Sequence, residues 1–471
     1  MTAAADRRQP RSVPAEAFFL LAVAAAVLAP AIINGFPLIF PDTGTYLSIA
    51  LANDYAGDRS SFYGFFVKIL TSAIAGLAGL WATIAVQAFL VAAVMIAVAR
   101  SMAPGREAIV LALTLLLTSV AFHVAQLMPD AFTGMAVLLA WLAARRDVSK
   151  SGTILLWLAI SALALIHYTH MALIAAAAGS ALLGELLLGV DWRRIGWRAV
   201  AAAGSLLLAA LIQIGMNGAV LGQKAVAPMG PMFLYARMNE DGLIKPWLQR
   251  HCGNDAPQVI CALAPKFPDD SQRLLWAKDS PLRTAVWNSD RSKIGWDVIH
   301  AMDIATKGAI AQSPGRFAEN SIAAAATQFV TFAPLDDECP VTCRTGGGNV
   351  EKMLSRYRPG SVAALDQSMQ VTDRTPKALI RSVMIPFAAI ALILLPFAGW
   401  AAWRRRDRDS LTLILAVSTA LIANAALAGA LSDVHDRYQS RIVWIAPFAI
   451  LLLCARWKLA EAAVGRLRSR H

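Results

Sequence analysis

Charge is scarce in this chain of 471 residues: only 16% are Asp, Glu, Lys or Arg, against about 25% in an ordinary soluble domain. With 57% of the residues hydrophobic, that shortage excludes a solvated globular protein. Histidine and cysteine are also few, at 7 and 5. Only His251 stands beside any of the cysteines, so a structural zinc site has too few ligands close together. There is no internal repeat, and no low-complexity tract beyond Ala-rich blocks. No secretory signal with a cleavage site is visible. The first apolar block, Ala17 to Phe40, is too long for a signal core and reads as a retained span.

What the chain does have is a succession of apolar blocks, many near the ~20 residues a helix needs to cross a bilayer. In lipid such a block can satisfy its backbone only as a helix. The expected spans are 16–35, 79–99, 107–127, 131–144, 152–167, 171–189, 199–217, 378–401, 409–430 and 441–457. The fold class is therefore an α-helical polytopic membrane protein with about ten transmembrane helices. Residues 1–217 form an N-terminal transmembrane module and 377–471 a C-terminal one with a basic tail. Between them, 218–376 reads as a mixed, mainly helical periplasmic domain.

The net charge of +12 could point to nucleic acid. Its distribution points elsewhere. Arg7, Arg8 and Arg11 precede the first block. Arg100 and Arg106 follow the second, Arg145, Arg146 and Lys150 the fourth, and Arg193, Arg194 and Arg198 the sixth. Arg404, Arg405, Arg406 and Arg408 follow the eighth, and Arg456, Lys458, Arg466, Arg468 and Arg470 form the tail. Clusters at every second connection are the positive-inside pattern of an inner, cytoplasmic membrane, and they put both termini in the cytoplasm. Counting Phe62 to Ala75 as a span would reverse the later clusters. It reads instead as an interfacial helix in the first outer loop, with Lys68 on it.

Four cysteines fall in the outer segment. Cys252 and Cys261 are nine residues apart, Cys339 and Cys343 four. An even number in an oxidising compartment reads as disulfides, with the local pairing preferred over the other connectivities and over free thiols. Cys454, in the last span, reads as a packing residue.

The chemistry concentrates at the outer ends of the spans. Asp42 follows the first span, between Pro41 and a Thr43-Gly44-Thr45 turn. It reads either as a helix cap or as a general base held at the membrane edge. Asp58 and Arg59 are a surface pair or a substrate contact. Asp130 starts the fourth span or acts as a second catalytic carboxylate. His167 and His170 are three apart and could bind phosphate, shuttle a proton or join a metal site; the plainer reading is a hydrogen-bonded hairpin. Arg437 and Arg441, four apart beside Tyr438, would share a helix face. They read as phosphate-binding forks or as snorkelling anchors. Asp42 and Asp130 could also hold a divalent cation; no other cofactor is expected.

The order of these residues resembles the GT-C superfamily of membrane glycosyltransferases, which use polyprenyl-phosphate sugars. The matching features are Asp42 with Tyr46 after the first span, Asp58-Arg59 before Phe62-Tyr63, Asp130 in the second outer loop, His167-Tyr168-Thr169-His170 in the third, and Asp436-Arg437-Tyr438 with Arg441 before the last helix. The family's proline pair near Asp58 is missing, and His stands where Lys is usual. The resemblance covers roughly 15–217 and 378–460. It implies Asp42 and Asp130 as catalytic carboxylates. It implies Tyr46, Asp58, Arg59, His167, His170, Arg437, Tyr438 and Arg441 as substrate-binding. The implied reaction is inverting transfer of a sugar to a lipid, glycan or protein acceptor in the cell envelope. A transporter or flippase, or a polymerase or ligase for lipid-linked saccharides, is the alternative. The missing repeat and the outer clustering of ionisable residues favour the enzyme.

Overall fold

The computed structural model describes residues 12–145, 150–287, 295–335 and 349–468. Among them, six helices are long and apolar enough to cross a membrane: Gly76–Met102, His170–Leu187, Ile195–Leu221, Lys377–Arg404, Arg408–Leu431 and Asp436–Lys458. Four shorter apolar helices, Val13–Val27, Glu107–Leu117, Pro129–Ala144 and Ser151–Ile166, overlap the remaining apolar segments. The chain is a helical, multi-pass membrane protein. Helices Ile195–Leu221 and Lys377–Arg404 are mostly uncovered and form the periphery. Asp436–Lys458 is the most buried and forms the centre.

Two segments depart from the continuous helices expected of them. In 107–127 the helix stops at Leu117 and a short one, Val120–Val124, follows. The hydroxyls at the break explain it. Thr118 Oγ1 bonds back to the Thr114 carbonyl at 2.7 Å, and Ser119 Oγ donates to the Ser440 carbonyl at 2.8 Å. Such local bonds compete with the helical ladder. The first segment breaks at Leu28, into Val13–Val27 and Ala29–Asn34. There Pro30 lacks the N–H that a continuous helix would use.

Two glycines bring helices close around the site. A Cβ at Gly134 would lie 2.4 Å from the Trp444 ring, and one at Gly429 2.6 Å from the Ala324 carbonyl oxygen. Gly134 lets the last span approach the segment that carries Asp130. Gly429 lets helix Pro314–Val330 lie against Arg408–Leu431.

Outside the spans, helix Ser61–Ala73 stands where the sequence predicts an interfacial helix. It buries Tyr63, Gly64, Val67 and Thr71 along one face and leaves Ile69 exposed. In the segment between the two transmembrane modules, a core of its own runs from Met229 to Ala309, with Tyr235, Trp247, Leu274 and Met302 at its centre. Cys252 and Cys261 form a disulfide there, with Cα atoms 5.7 Å apart. Cys339 and Cys343 lie outside the described residues. Later residues of the same segment, among them Phe332, Val350, Leu354, Leu365 and Val371, pack into the larger core of the membrane part.

Candidate active site

Ionisable side chains from four distant stretches meet at one end of the bundle. The last span supplies two of them: helix Asp436–Val443 begins it, and Arg437 and Arg441 share one face. Facing them, the 3-10 turn Pro129–Phe132 carries Asp130. Asp42 comes from the loop after the first span and Arg59 from the turn before Ser61–Ala73.

The groups alternate in sign. Arg59 Nη2 donates to Asp42 Oδ1 at 2.9 Å, and Arg437 Nη1 donates to Asp42 Oδ2 at 3.0 Å. Arg437 turns its Nε to Asp130 Oδ2 at 2.7 Å, and Arg441 Nη1 donates to Asp130 Oδ1 at 3.0 Å. Arg441 also donates to Asn424 Oδ1 at 3.1 Å and Thr169 Oγ1 at 3.3 Å. Asp58 adds a looser contact to Arg59 at 3.8 Å. The Arg437 guanidinium stacks on the Phe40 ring, 3.8 Å from its centroid. That ring fixes the fork between the two carboxylates. A guanidinium thus occupies the space between Asp42 and Asp130 where a divalent cation was considered. Among the described residues, no group of three His, Cys, Asp or Glu could hold a metal ion.

The Asp42 loop is strapped from both sides. Leu38 N donates to the Ala125 carbonyl at 3.0 Å, and Leu127 N donates back to Leu38 at 2.8 Å. Thr43 Oγ1 donates to the Leu127 carbonyl at 3.1 Å. On the other flank Gln370 makes a two-way amide clamp on Ile39: Ile39 N donates to Gln370 Oε1 at 3.0 Å and Gln370 Nε2 to the Ile39 carbonyl at 2.6 Å. Gln370 N donates in turn to Asn34 Oδ1 at 2.7 Å.

A cavity of about 580 Å³ opens above this cluster, between the membrane part and the segment around Phe233, Trp276 and Trp287. Asp42, Asp58, Arg59, Arg437 and Tyr438 line it. With Arg283 opposite, three arginines face two aspartates, so the wall is net positive. Burial pushes the Asp42 carboxyl up, but Arg59 and then Arg437 outweigh it and hold the group below the ordinary carboxylate range. Asp42 is therefore ionised at neutral pH. It stands at the N-cap of helix Thr43–Ala52, yet its side chain makes no capping bond. The cap reading of Asp42 is thereby removed.

Five of the other expected residues do not face the cavity. Asp130 is fully buried, with both oxygens held by arginines, and so cannot reach a reactant. Arg441 is only 2% exposed and lies behind Arg437, away from the mouth where a phosphate was expected to find it. His170 is buried between the Leu163 carbonyl and Thr133 Oγ1, at 2.8 and 3.1 Å. His167 bonds Thr169 and approaches Arg441 at 3.3 Å. Neither histidine lines the cavity. Tyr46 is likewise buried, edge-on to Tyr63 at 4.8 Å, and Thr45 lines the wall in its place. The sequence reading missed Phe40, Gln370 and Asn424. Their partners lie on other segments, and no local spacing marks them.

No known protein family matches the chain, and no curated protein does. Two solved structures are similar along nearly its whole length. One is ArnT from Cupriavidus metallidurans in the apo state, 16% identical, covering 93% of this chain and 78% of that one, with a TM-score of 0.33. The other is the same protein bound to undecaprenyl phosphate, 14% identical, covering 94% and 78%, with a TM-score of 0.32. A likeness of that depth assigns no activity to this chain.

Proposed function

We propose that the chain transfers a sugar from a polyprenyl-phosphate donor to an acceptor at the outer face of a bacterial inner membrane. The observation that carries this reading is the carboxylate of Asp42, held between two cavity-lining guanidiniums at the floor of a net-positive cavity. A donor of this class is a phosphodiester with one negative charge. As the bond from the sugar's anomeric carbon to the phosphate oxygen breaks, the leaving monophosphate gains a second. Arg59 and Arg437 stand ready to stabilise that growing charge, which favours the transition state over the bound donor. The acceptor oxygen attacks the opposite face of the anomeric carbon and gives its proton to Asp42, so the product is inverted.

Donor binding also activates the base. A phosphate that shares Arg59 and Arg437 weakens their hold on Asp42, and the carboxyl moves up toward a useful basicity. The acid limb of kcat/KM, which reports the free enzyme, is expected below 3.8. The limb of kcat, which reports the complex, is expected at a higher pH. Coincident limbs would remove the activation step.

Arg59 gives the cleaner test of the phosphate role, because Arg437 also supports buried Asp130. Arg59→Ala is expected to weaken binding of undecaprenyl phosphate about tenfold or more, as loss of a charge-assisted bond does. The protein should keep its fold. Native mass spectrometry of the protein in nanodiscs reads the effect, and unchanged affinity would refute the site. The topology follows from the arginine clusters. A reporter active only outside the cytoplasm should work when fused near Asp255 and fail after Arg406. Activity after Arg406 would invert the layout.

A further inference from the structure

The wall facing Asp42 belongs to the outer segment, and its chemistry differs from the ionic floor. Phe233, Leu275, Trp276 and Trp287 line it, with Gln272 and Arg283 on its rim. The Trp276 and Trp287 rings stack with centroids 5.9 Å apart and planes at 21°. Phe233 lies 6.0 Å from Trp276. Trp276 is 39% exposed and lines the cavity. The Arg59 guanidinium lies 5.8 Å from the Trp276 ring and 5.7 Å from Phe233, while its Nη2 bonds Asp42. One guanidinium therefore separates the aromatic wall from the carboxylate.

Resting on the function proposed above, we infer that this wall is the acceptor subsite and that the acceptor presents a saccharide ring to it. A pyranose has an apolar face of C–H groups and an edge of hydroxyls. The wall offers flat aromatic faces for the first and amide and guanidinium donors for the second, the division typical of sites that orient a small polar ligand. A lipid acyl chain would call for aliphatic lining, and among the described residues Leu275 is the one aliphatic side chain that this segment gives the wall. A ring seated on Trp276 would hold a hydroxyl within reach of Asp42, on the side of Arg59 away from the membrane part. The subsite positions the acceptor; the proton still passes from that hydroxyl to Asp42 as its oxygen bonds the anomeric carbon.

The test uses the full-length protein in nanodiscs and an array of immobilised bacterial polysaccharides and their oligosaccharides. The wild-type protein is expected to bind at least one glycan. Trp276→Ala and Trp287→Ala should each weaken that binding about tenfold, while Trp276→Phe keeps it within about threefold, since a flat aromatic face is retained. A glycan bound equally well by both alanine variants would overturn the inference. So would wild-type protein that binds undecaprenyl phosphate and no glycan, the result a peptide acceptor would give; the donor reading would survive it. Wild-type protein that fails to bind undecaprenyl phosphate would instead strike at the proposed function itself.

Discussion

Asp42→Asn is expected to lower the rate of transfer by about two to four orders of magnitude, the usual cost of losing a general base. The structure sharpens this experiment. Asn would replace a helix cap well, but the Asp42 side chain makes no capping bond. The remaining structural role is its pairing with Arg59 and Arg437. An Asn carbonyl can still accept from Arg59, while its NH2 group cannot accept from Arg437. Asp42 is only partly buried, so the loss of that pair should lower the melting temperature modestly. Donor affinity should stay equal or rise, because the negative charge that competes with phosphate for the two guanidiniums is removed. Slow transfer with intact donor binding identifies the base. Near-normal turnover would dismiss Asp42, and Asp130 is too buried to replace it.

Asp130→Asn should act on stability before it acts on chemistry. It strips the countercharge from Arg441, which is almost fully buried, and half of the support from Arg437. Breaking a buried pair by removing one partner costs about 3–5 kcal/mol. A large fall in melting temperature or yield is therefore expected. Combining it with Arg441→Gln removes the stranded charge and should restore much of the loss, a coupling that a double-mutant cycle measures. An unchanged melting temperature in the single variant would mean that Arg441 has another partner for its charge.

The helical, multi-pass character was legible because lipid removes every option but a helix for an apolar block. The breaks at Leu28 and Thr118–Ser119 were less so. They depend on a proline and on hydroxyl bonds that block hydropathy does not register. Asp42, Asp130, Arg437 and Arg441 were each visible as costly charges near span ends, and Arg59 as a surface pair or a substrate contact. Their division of labour was not, since depth decides it: the cavity reaches Asp42, Arg59 and Arg437 and stops short of Asp130 and Arg441. Depth depends on how helices far apart in sequence cross. Trp276 and Trp287 gave no signal, because tryptophans are spread along the whole chain and only the fold brings these two to the cavity.

The two-way amide clamp between Ile39 and Gln370 spans 331 positions, and the bond from Arg437 to Asp42 spans 395. During synthesis, the helices that precede the last span are therefore made with Asp130 lacking its countercharges, and until Gln370 is made the loop beyond Phe40 is held on one flank only. Completion waits for the last span to insert. A ribosome that stops early leaves a bundle with a stranded buried carboxylate, a fault that membrane quality control could recognise by its instability. Supplying residues from Lys377 onward as a separate chain should then rescue such a fragment only if the new chain threads into the centre of the bundle, since Asp436–Lys458 is its most buried member. The innermost helix is thus the last to be added, and it both closes the bundle and completes the cluster around Asp42 and Asp130.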